Sequence, residues 1–508
     1  MKAQHFYKKI LRESPEIYKY ELKSSSARAS PFKSWGICLC LLLLGATFLG
    51  VVRVNSNSPN EVQESLITSN CPSLTHPNLP ALGEEECEEV TSLDAKFRVF
   101  NCKSLDMCQA GYIKIQRINQ EYCELAKNIR YSQSPVHSQY FGLVDGPDTF
   151  YVNFTGAQKL AVSGWKFNSD CSYHYPYNFY NSGEITLNIV HVYENFNGVN
   201  EVSQEWPQYL GNIIVQDHID AICPQCPTLN IGEKGFGPGD SPVNMPLSIC
   251  SYDRPVEGAW IPTKDKALST SGYLWSPIGC RYPYKYKSVV ERTCLKNSRS
   301  ILFTGDSQIR VTFDSLWRRL EGQAERVDAL NRFLDRTKVV GNVTLYHHKD
   351  VFLEDIVSRT AKELLQYDVI VFNFAQWPAS GPKNGGHWTT EKYLSTLTNV
   401  TNFLIDIQNS RPKEKPLRLI WHGIHAFSSV NPYSKSRVDW RTNSRLKNWD
   451  VFSEALMKAQ KISAINSFHI TYPMIDTSPD KAHYFGTDAE EAIVDETLHK
   501  LDLCNSIN

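Results

Sequence analysis

The chain has 508 residues, a formal net charge of −1 and 12% aromatic side chains. That length allows about two to four domains at roughly 100–200 residues each. The balanced charge excludes a global field that would draw nucleic acid, so no nucleic-acid partner is expected.

The first 33 residues are polar and carry Lys2, Lys8, Lys9, Arg12, Lys19, Lys23, Arg28 and Lys33. Trp35 to Val52, WGICLCLLLLGATFLGVV, then runs eighteen residues without a charge, bracketed by Lys33 and Arg53. A spanning helix needs about 17–25 residues, whereas a cleavable leader has a shorter apolar core and no long charged lead. The basic flank favours the cytosolic side. The expectation is a single-pass type II protein: a cytosolic tail over 1–33, a signal anchor over 34–53, and the rest in the lumen of the secretory pathway, Golgi above all, or at the cell surface. The rival reading of the apolar run is a buried core helix.

Cysteine usage fits that compartment. Cys38 and Cys40 lie within the apolar run and the other twelve of the fourteen follow it. An even count in an oxidising compartment reads as disulfides, with connectivity open. Three glycosylation sequons, at Asn153, Asn342 and Asn399, also lie past the anchor.

Residues 54–70 read as a polar stem, and the five cysteines of 71–130 as a compact stapled segment, together a region over 54–130. Over 131–255, the stretches TFYVNFTG, KLAVSGWKF and EITLNIVHVYENF alternate apolar and polar residues between turn formers, which predicts an Ig-like β-sandwich. From 256 to 508 strands alternate with helices. Strands are expected at 300–304, 343–347, 368–374, 417–422 and 467–472; helices at 308–320, 323–336, 354–366, 390–407, 444–460 and 487–501. This alternation predicts an α/β domain, a parallel sheet with helices on both faces, whose sites form at the carboxyl ends of the strands.

Beyond one such end lies SILFTGDSQIRVTFDSLW, residues 300–317. Gly305 permits a tight strand-to-helix turn, and Asp306 or Ser307 could cap the helix. The sharper reading makes Ser307 a nucleophile, which requires a base and a group to orient it. DTSPDKAHYFGTDAEEAIVDETLHK, residues 476–500, contains Asp480 three residues before His483, a spacing that lets one loop present a carboxylate to the imidazole.

The order Gly-Asp-Ser then Asp-x-x-His resembles the SGNH (GDSL) hydrolase superfamily, and within it the PC-esterase group: plant trichome-birefringence-like polysaccharide O-acetyltransferases, animal NXPE proteins and fungal capsule-associated proteins. ILFTGDSQIR, with Arg310 three past the serine, resembles their first block. YDVIVFNFAQW (367–377) is similar to the strand that ends in F-N-T-G-H-W in the plant members. GAWIP (258–262) and YLWSPIGCRYP (273–283) resemble their G-R-W and W-x-P-x-x-C segments. The likeness spans about 250–508; a β-sandwich before it resembles the NXPE layout. The resemblance implies an SGNH-type three-layer α/β/α domain with Ser307 as nucleophile, His483 as base then acid, and Asp480 orienting the imidazole. It also implies that the Ser307 N–H and the Asn373 amide are oxyanion donors, with Gly305 shaping the turn. The chain departs from it at Phe374-Ala375-Gln376, where plant members have Thr-Gly-His, and Asn373 lacks the glycine of the usual G-x-N-D block.

Other candidates read more simply. Cys223 and Cys226 could be a redox pair, but a structural disulfide suits their β-rich surroundings. His422 and His425 could line the same cleft; structural histidines are the default, and no metal is expected. Adjacent His347 and His348 should point to opposite faces of a strand, at least one meeting solvent. Trp377, Trp388 and Trp421 could stack on sugars or pack in the core. Lys435, Arg437, Arg441, Arg445 and Lys447 read as a solvated basic face or a contact for an acidic glycan.

The functional expectation is a membrane-anchored luminal serine acyltransferase or esterase. It would move acyl groups, acetyl above all, to or from glycan or polysaccharide hydroxyls through an acyl-enzyme. No bound cofactor is expected; acetyl-CoA or another acyl donor would be a substrate, delivered by another protein because one span cannot carry it across a membrane. The alternative is a non-catalytic secretory-pathway or cell-surface binding protein on an esterase-like scaffold.

Overall fold

The computed structural model describes residues 85–104, 109–122, 148–168, 170–194, 209–222, 248–282, 295, 298–322, 336–381, 385–428, 441–480 and 482–503. The expected anchor and stem, Cys223 and Cys226, Lys435 and Arg437, and all but the last residue of the expected helix over 323–336 lie outside these residues; Arg336 begins a strand, Arg336–Val340. Among the described residues no helix is long and apolar enough to cross a membrane.

The chain is mixed α/β, with antiparallel sheets ahead of a largely parallel one. The first nine strands are β1 (Glu85–Val90), β2 (Phe97–Ser104), β3 (Ala110–Arg117), β4 (Asp148–Gly156), β5 (Leu160–Val162), β6 (Lys166–Phe167), β7 (Ser172–Asn178), β8 (Gly183–Glu194) and β9 (Tyr209–Ile222). They form two antiparallel sheets, ordered β1-β2-β3-β7-β6 and β5-β4-β8-β9. Val99, Ile113, Ile115 and Tyr173 from the first meet Phe150, Val152, Leu187 and Ile189 from the second in one core. Alternating strands put these residues on the two facing surfaces.

Among the described residues this two-sheet unit includes Glu85–Arg117, which lie ahead of 131. The cysteine-rich segment supplies three of its strands, and Cys87–Cys102 staples the paired strands β1 and β2. Cys171 is also disulfide-bonded. The charges that enter this core are paired: Arg117 meets Asp148 at 2.7 Å, and His191 Nε2 lies 3.0 Å from the same carboxylate.

A hairpin follows, β10 (Gly258–Pro262) with β11 (Tyr273–Pro277), in which Trp260 faces Trp275 in register. A Cβ on Gly258 would lie 2.5 Å from the Trp275 ring, so only glycine admits that indole. Cys250–Cys280 closes the segment around the hairpin.

The remaining strands are β12 (Arg299–Gly305), β13 (Arg336–Val340), β14 (Val343–Lys349), β15 (Val369–Phe372), β16 (Arg418–His422) and β17 (Ser463–Ile465). They form one six-stranded sheet in the order β13-β14-β12-β15-β16-β17, parallel except for β13. The helices are α1 (Ser307–Glu321), α2 (Glu354–Ser358), α3 (Ala361–Leu364), α4 (Gln376–Ala379), α5 (Thr390–Asn409), α6 (Asn443–Ala459), α7 (Ser467–Thr471) and α8 (Asp488–Leu501). Ile309, Phe313, Leu316 and Leu320 of α1, with Ile493 and Leu498 of α8, pack on Ile301, Phe303, Val371 and Ile420 of the sheet.

Two expected elements change. The expected strand over 467–472 is the helix α7, and the edge strand is β17 just before it. Phe468, Ile470 and Tyr472 alternate like a strand, but six residues fit either period. The expected helix over 354–366 is two short helices, because Thr360 starts a new one with a capping box to Glu363.

Candidate active site

Apolar Ile301 to Phe303 are buried in the middle of the sheet and deliver the chain to Gly305 at its carboxyl edge. Gly305 has φ +150°, and a Cβ there would lie 2.3 Å from both the backbone and side-chain oxygens of Asn373. Asp306, not Ser307, is the N-cap of α1: its Oδ1 accepts the Gln308 N–H at 2.9 Å. Its Oδ2 accepts the Gln376 N–H at 3.3 Å, linking the turn to the segment after β15. Burial pushes the Asp306 carboxyl up, while the backbone donors around it and His483 oppose that.

With capping assigned to Asp306, the Ser307 hydroxyl points elsewhere. Its Oγ lies 2.7 Å from His483 Nε2, across 176 residues of sequence. His483 Nδ1 lies 2.7 Å from Asp480 Oδ2, and Asp480 Oδ1 accepts the backbone N–H groups of Ala482 and His483 at 2.9 and 2.8 Å. Burial pushes the Asp480 carboxyl up, but the His483 hydrogen bond and the two backbone donors outweigh it and hold it below the usual range. Nδ1 therefore donates to the carboxylate, leaving Nε2 to accept from the serine.

The loop is tied down at two points. Gln308 Nε2 donates to the Ala482 carbonyl at 2.7 Å, and Ser478 Oγ donates to the His483 carbonyl at 2.7 Å. Gln308 is a positioning residue that sequence reasoning passed over. Its signal was its place in the first turn beside the serine, where a glutamine reaches a neighbouring loop.

Asn373 follows β15 at the same edge. Its Oδ1 accepts the Asp306 N–H at 3.3 Å. Among the described residues no group accepts from its Nδ2. The Ser307 N–H sits at the positive end of α1, where a developing anion is favoured. The five expected site residues thus converge at one sheet edge.

Most of the other candidates are buried. His422 and His425 are fully buried, with rings stacked at 5.0 Å. Burial lowers His422 to about 4, and its Nε2 meets Thr312 Oγ1 at 3.0 Å. Burial also pushes His425 well below the usual imidazole range. Trp421 is core, and Trp388 is buried in a stack with Phe352; Trp377 is partly exposed at the same edge. His347 is buried, and His348 is more open. Arg441 lies 3.6 Å over the Phe427 ring, and Arg445 is buried, so this part of the basic stretch is not a solvated face.

His348, Asp350 and Asp355 gather near the end of β14 with metal-ligand types close together. Asp350 uses its oxygens on the Glu354 and Ile356 N–H groups at 2.9 and 2.8 Å, at the start of α2. A serine, imidazole and carboxylate in hydrogen-bonded series can activate the hydroxyl for acyl transfer with no further group. Comparison with protein-family models and with curated proteins finds no match for the chain, so the reading of this site stands on its own geometry.

Proposed function

We propose that the chain is a serine acyltransferase or esterase that moves acyl groups, acetyl above all, to or from glycan hydroxyls, anchored as a type II protein in the Golgi or a neighbouring secretory membrane. Its catalytic region is then a PC-esterase domain of SGNH type, three layers α/β/α, behind an Ig-like sandwich. The observation that carries this reading is the series Ser307 Oγ, His483 Nε2, His483 Nδ1, Asp480 Oδ2, with 2.7 Å at both junctions.

In this mechanism His483 Nε2 takes the serine proton as Oγ bonds to the acyl carbonyl carbon of an ester or thioester. The carbonyl oxygen becomes an oxyanion, stabilised by the Ser307 N–H and the Asn373 amide. Collapse breaks the bond to the leaving oxygen or sulfur, which takes the proton from the imidazolium. The acyl-enzyme is then attacked by a sugar hydroxyl or by water, whose proton passes to Nε2 and on to Ser307 Oγ. Transfer and hydrolysis use the same protein groups; acceptor binding and water exclusion separate them. Acetyl-CoA or another activated acyl compound serves as donor, brought to the lumen by a partner.

A fluorophosphonate probe tests the reading. It should label the full-length protein at Ser307 and should not label Ser307→Ala. Labelling that persists in Ser307→Ala, or a folded wild type that takes no label, would leave the non-catalytic binding role instead.

A further inference from the structure

The loop that follows β16, residues 423–427, is buried throughout. Loops ordinarily run over the surface, because a buried one must find partners for its backbone N–H and C=O groups. Here side chains from other elements supply them. Asp450 of α6 accepts the Ile424 N–H at 3.2 Å, and Thr471 of α7 accepts the Ala426 N–H at 2.8 Å. Asn443 of α6 accepts the Phe427 N–H at 2.7 Å and donates to the Phe427 carbonyl at 3.2 Å. The Gly423 N–H reaches the Ile465 carbonyl of β17 at 3.2 Å. A segment so buried and so bonded opens only with the fold around it.

Two carbonyls of this stiff loop reach the site from opposite sides. Gln376 Nε2 donates to the His425 carbonyl at 2.8 Å, and the Gln376 backbone N–H donates to Oδ2 of Asp306, the residue before Ser307, at 3.3 Å. The hydroxyl of Tyr484, the residue after His483, donates to the Ala426 carbonyl at 3.0 Å. Both side chains are buried. Burial pushes the Tyr484 hydroxyl well above its ordinary value, so it stays a donor. With Ser307 Oγ 2.7 Å from His483 Nε2, these bonds close a ring. It runs from Ser307 through Gln376, the two loop carbonyls and Tyr484 to His483, and back.

The ring matters because the Ser307–His483 contact joins segments 176 residues apart, so no local geometry sets it. A base must lie within about 2.6–3.2 Å of the hydroxyl, and a displacement of about 1 Å can cost about 10² in rate. Gln308 holds the carbonyl of the residue before His483, and Tyr484 ties the residue after it to a different element.

We infer that Gln376 and Tyr484 are positioning residues, which through the 423–427 loop set the distance between Ser307 Oγ and His483 Nε2. They act through those two residues and need no contact with the acyl group. The inference rests on the acyl-transfer reading, and its test tells the two apart.

Fluorophosphonate labelling of the full-length protein in detergent, followed in time at several probe concentrations, gives each variant a maximal labelling rate and a half-saturating concentration. Tyr484→Phe removes only the hydroxyl, and Gln376→Met removes the amide at similar length. Each should lower the maximal rate by roughly tenfold or more and leave the half-saturating concentration unchanged. The double variant should be no slower than the slower single, because a ring opened twice is no more open than a ring opened once. Tyr177→Phe is the control. Its hydroxyl donates to Asn101 Oδ1 at 2.7 Å inside the two-sheet core, so its loss should lower the melting temperature and leave the labelling rate unchanged. All rates are read well below each melting temperature, and Gln376→Met decides alone if Tyr484→Phe does not fold. Wild-type labelling with unchanged rates in the single variants, a double variant slowed by the product of the singles, or equal slowing of Tyr177→Phe would overturn the positioning role and leave the acyl-transfer reading standing. A folded wild type that takes no label would overturn both.

Discussion

At the level of single residues, the proposed mechanism divides the site into groups that react and groups that hold. Ser307→Ala and His483→Ala should each abolish acyl transfer almost completely, since nucleophile and base act as one unit. Asp480→Asn should cost less than either, because the carboxylate only orients the imidazole and stabilises its charged form. Asn373→Ala should lower turnover by roughly 10²–10³, the usual loss of one oxyanion donor. Turnover and melting temperature of each variant decide the matter. Ser307→Ala that stays active would reject the mechanism, and Asn373→Ala that melts with full residual activity would make the amide a structural tie. Glu490, on α8, is a separate case. Burial pushes its carboxyl up to about 8, with Thr312 opposing. The folded state then binds a proton that the unfolded chain releases near pH 4.3, so stability falls as pH rises from there towards 8. Glu490→Gln removes that dependence, and its melting point should exceed wild type by roughly 2–4 °C per kcal/mol relieved at pH 8 but not at pH 4. Equal differences at the two values would show that the carboxyl does not titrate there.

Among elements, the turn between β12 and α1 does the most. Asp306 caps the helix with one oxygen and holds the Gln376 N–H with the other. Loss of a cap alone costs about 0.5–2 kcal/mol, and here it also frees the segment bearing Asn373. Asp306→Ala should therefore lower both stability and turnover, while Asp306→Asn keeps an acceptor for the helix and should recover most of the stability. Thermal melts and turnover of the pair check this; identical behaviour of Ala and Asn variants would mean that the side chain is not the cap. The Asp480–His483 loop is tied in turn to Gln308, so the first turn of α1 positions both Ser307 and His483.

Across the whole molecule, compartment and surface can be tested together. Asn342 and Asn399 are exposed, whereas Asn153 is 5% exposed on β4, inside the two-sheet unit. If the region past Arg53 is luminal, Asn342→Gln and Asn399→Gln should each remove one glycan's mass on a gel and Asn153→Gln none. A protein with no glycosidase-sensitive mass, or one that carbonate extracts from membranes, would reject the type II anchor. The seam between the two-sheet unit and the α/β region runs along residues 472–477, immediately before the loop carrying Asp480 and His483. The docked unit therefore abuts the segment that leads into the Asp480–His483 loop.

Local physics made much of this legible from the amino-acid order alone. The turn at Gly305, the helix period after it and the Asp480–His483 contact all form within a few residues, so spacing and residue type were enough to read them. The strands expected at 300–304, 343–347, 368–374 and 417–422 each fall on an observed strand, because buried parallel strands are short apolar runs. Tertiary structure alone decided what depends on distant partners. It brought Ser307 to His483 across 176 residues and assigned the cap to Asp306. It also made residues 467–471 a helix beside an edge strand, and drew the cysteine-rich strands into the two-sheet core. The seam along residues 472–477 belongs to this second class: Tyr151 meets Tyr472 and Lys159 meets Asp476, and no local pattern links segments that meet only when two folded surfaces close on each other.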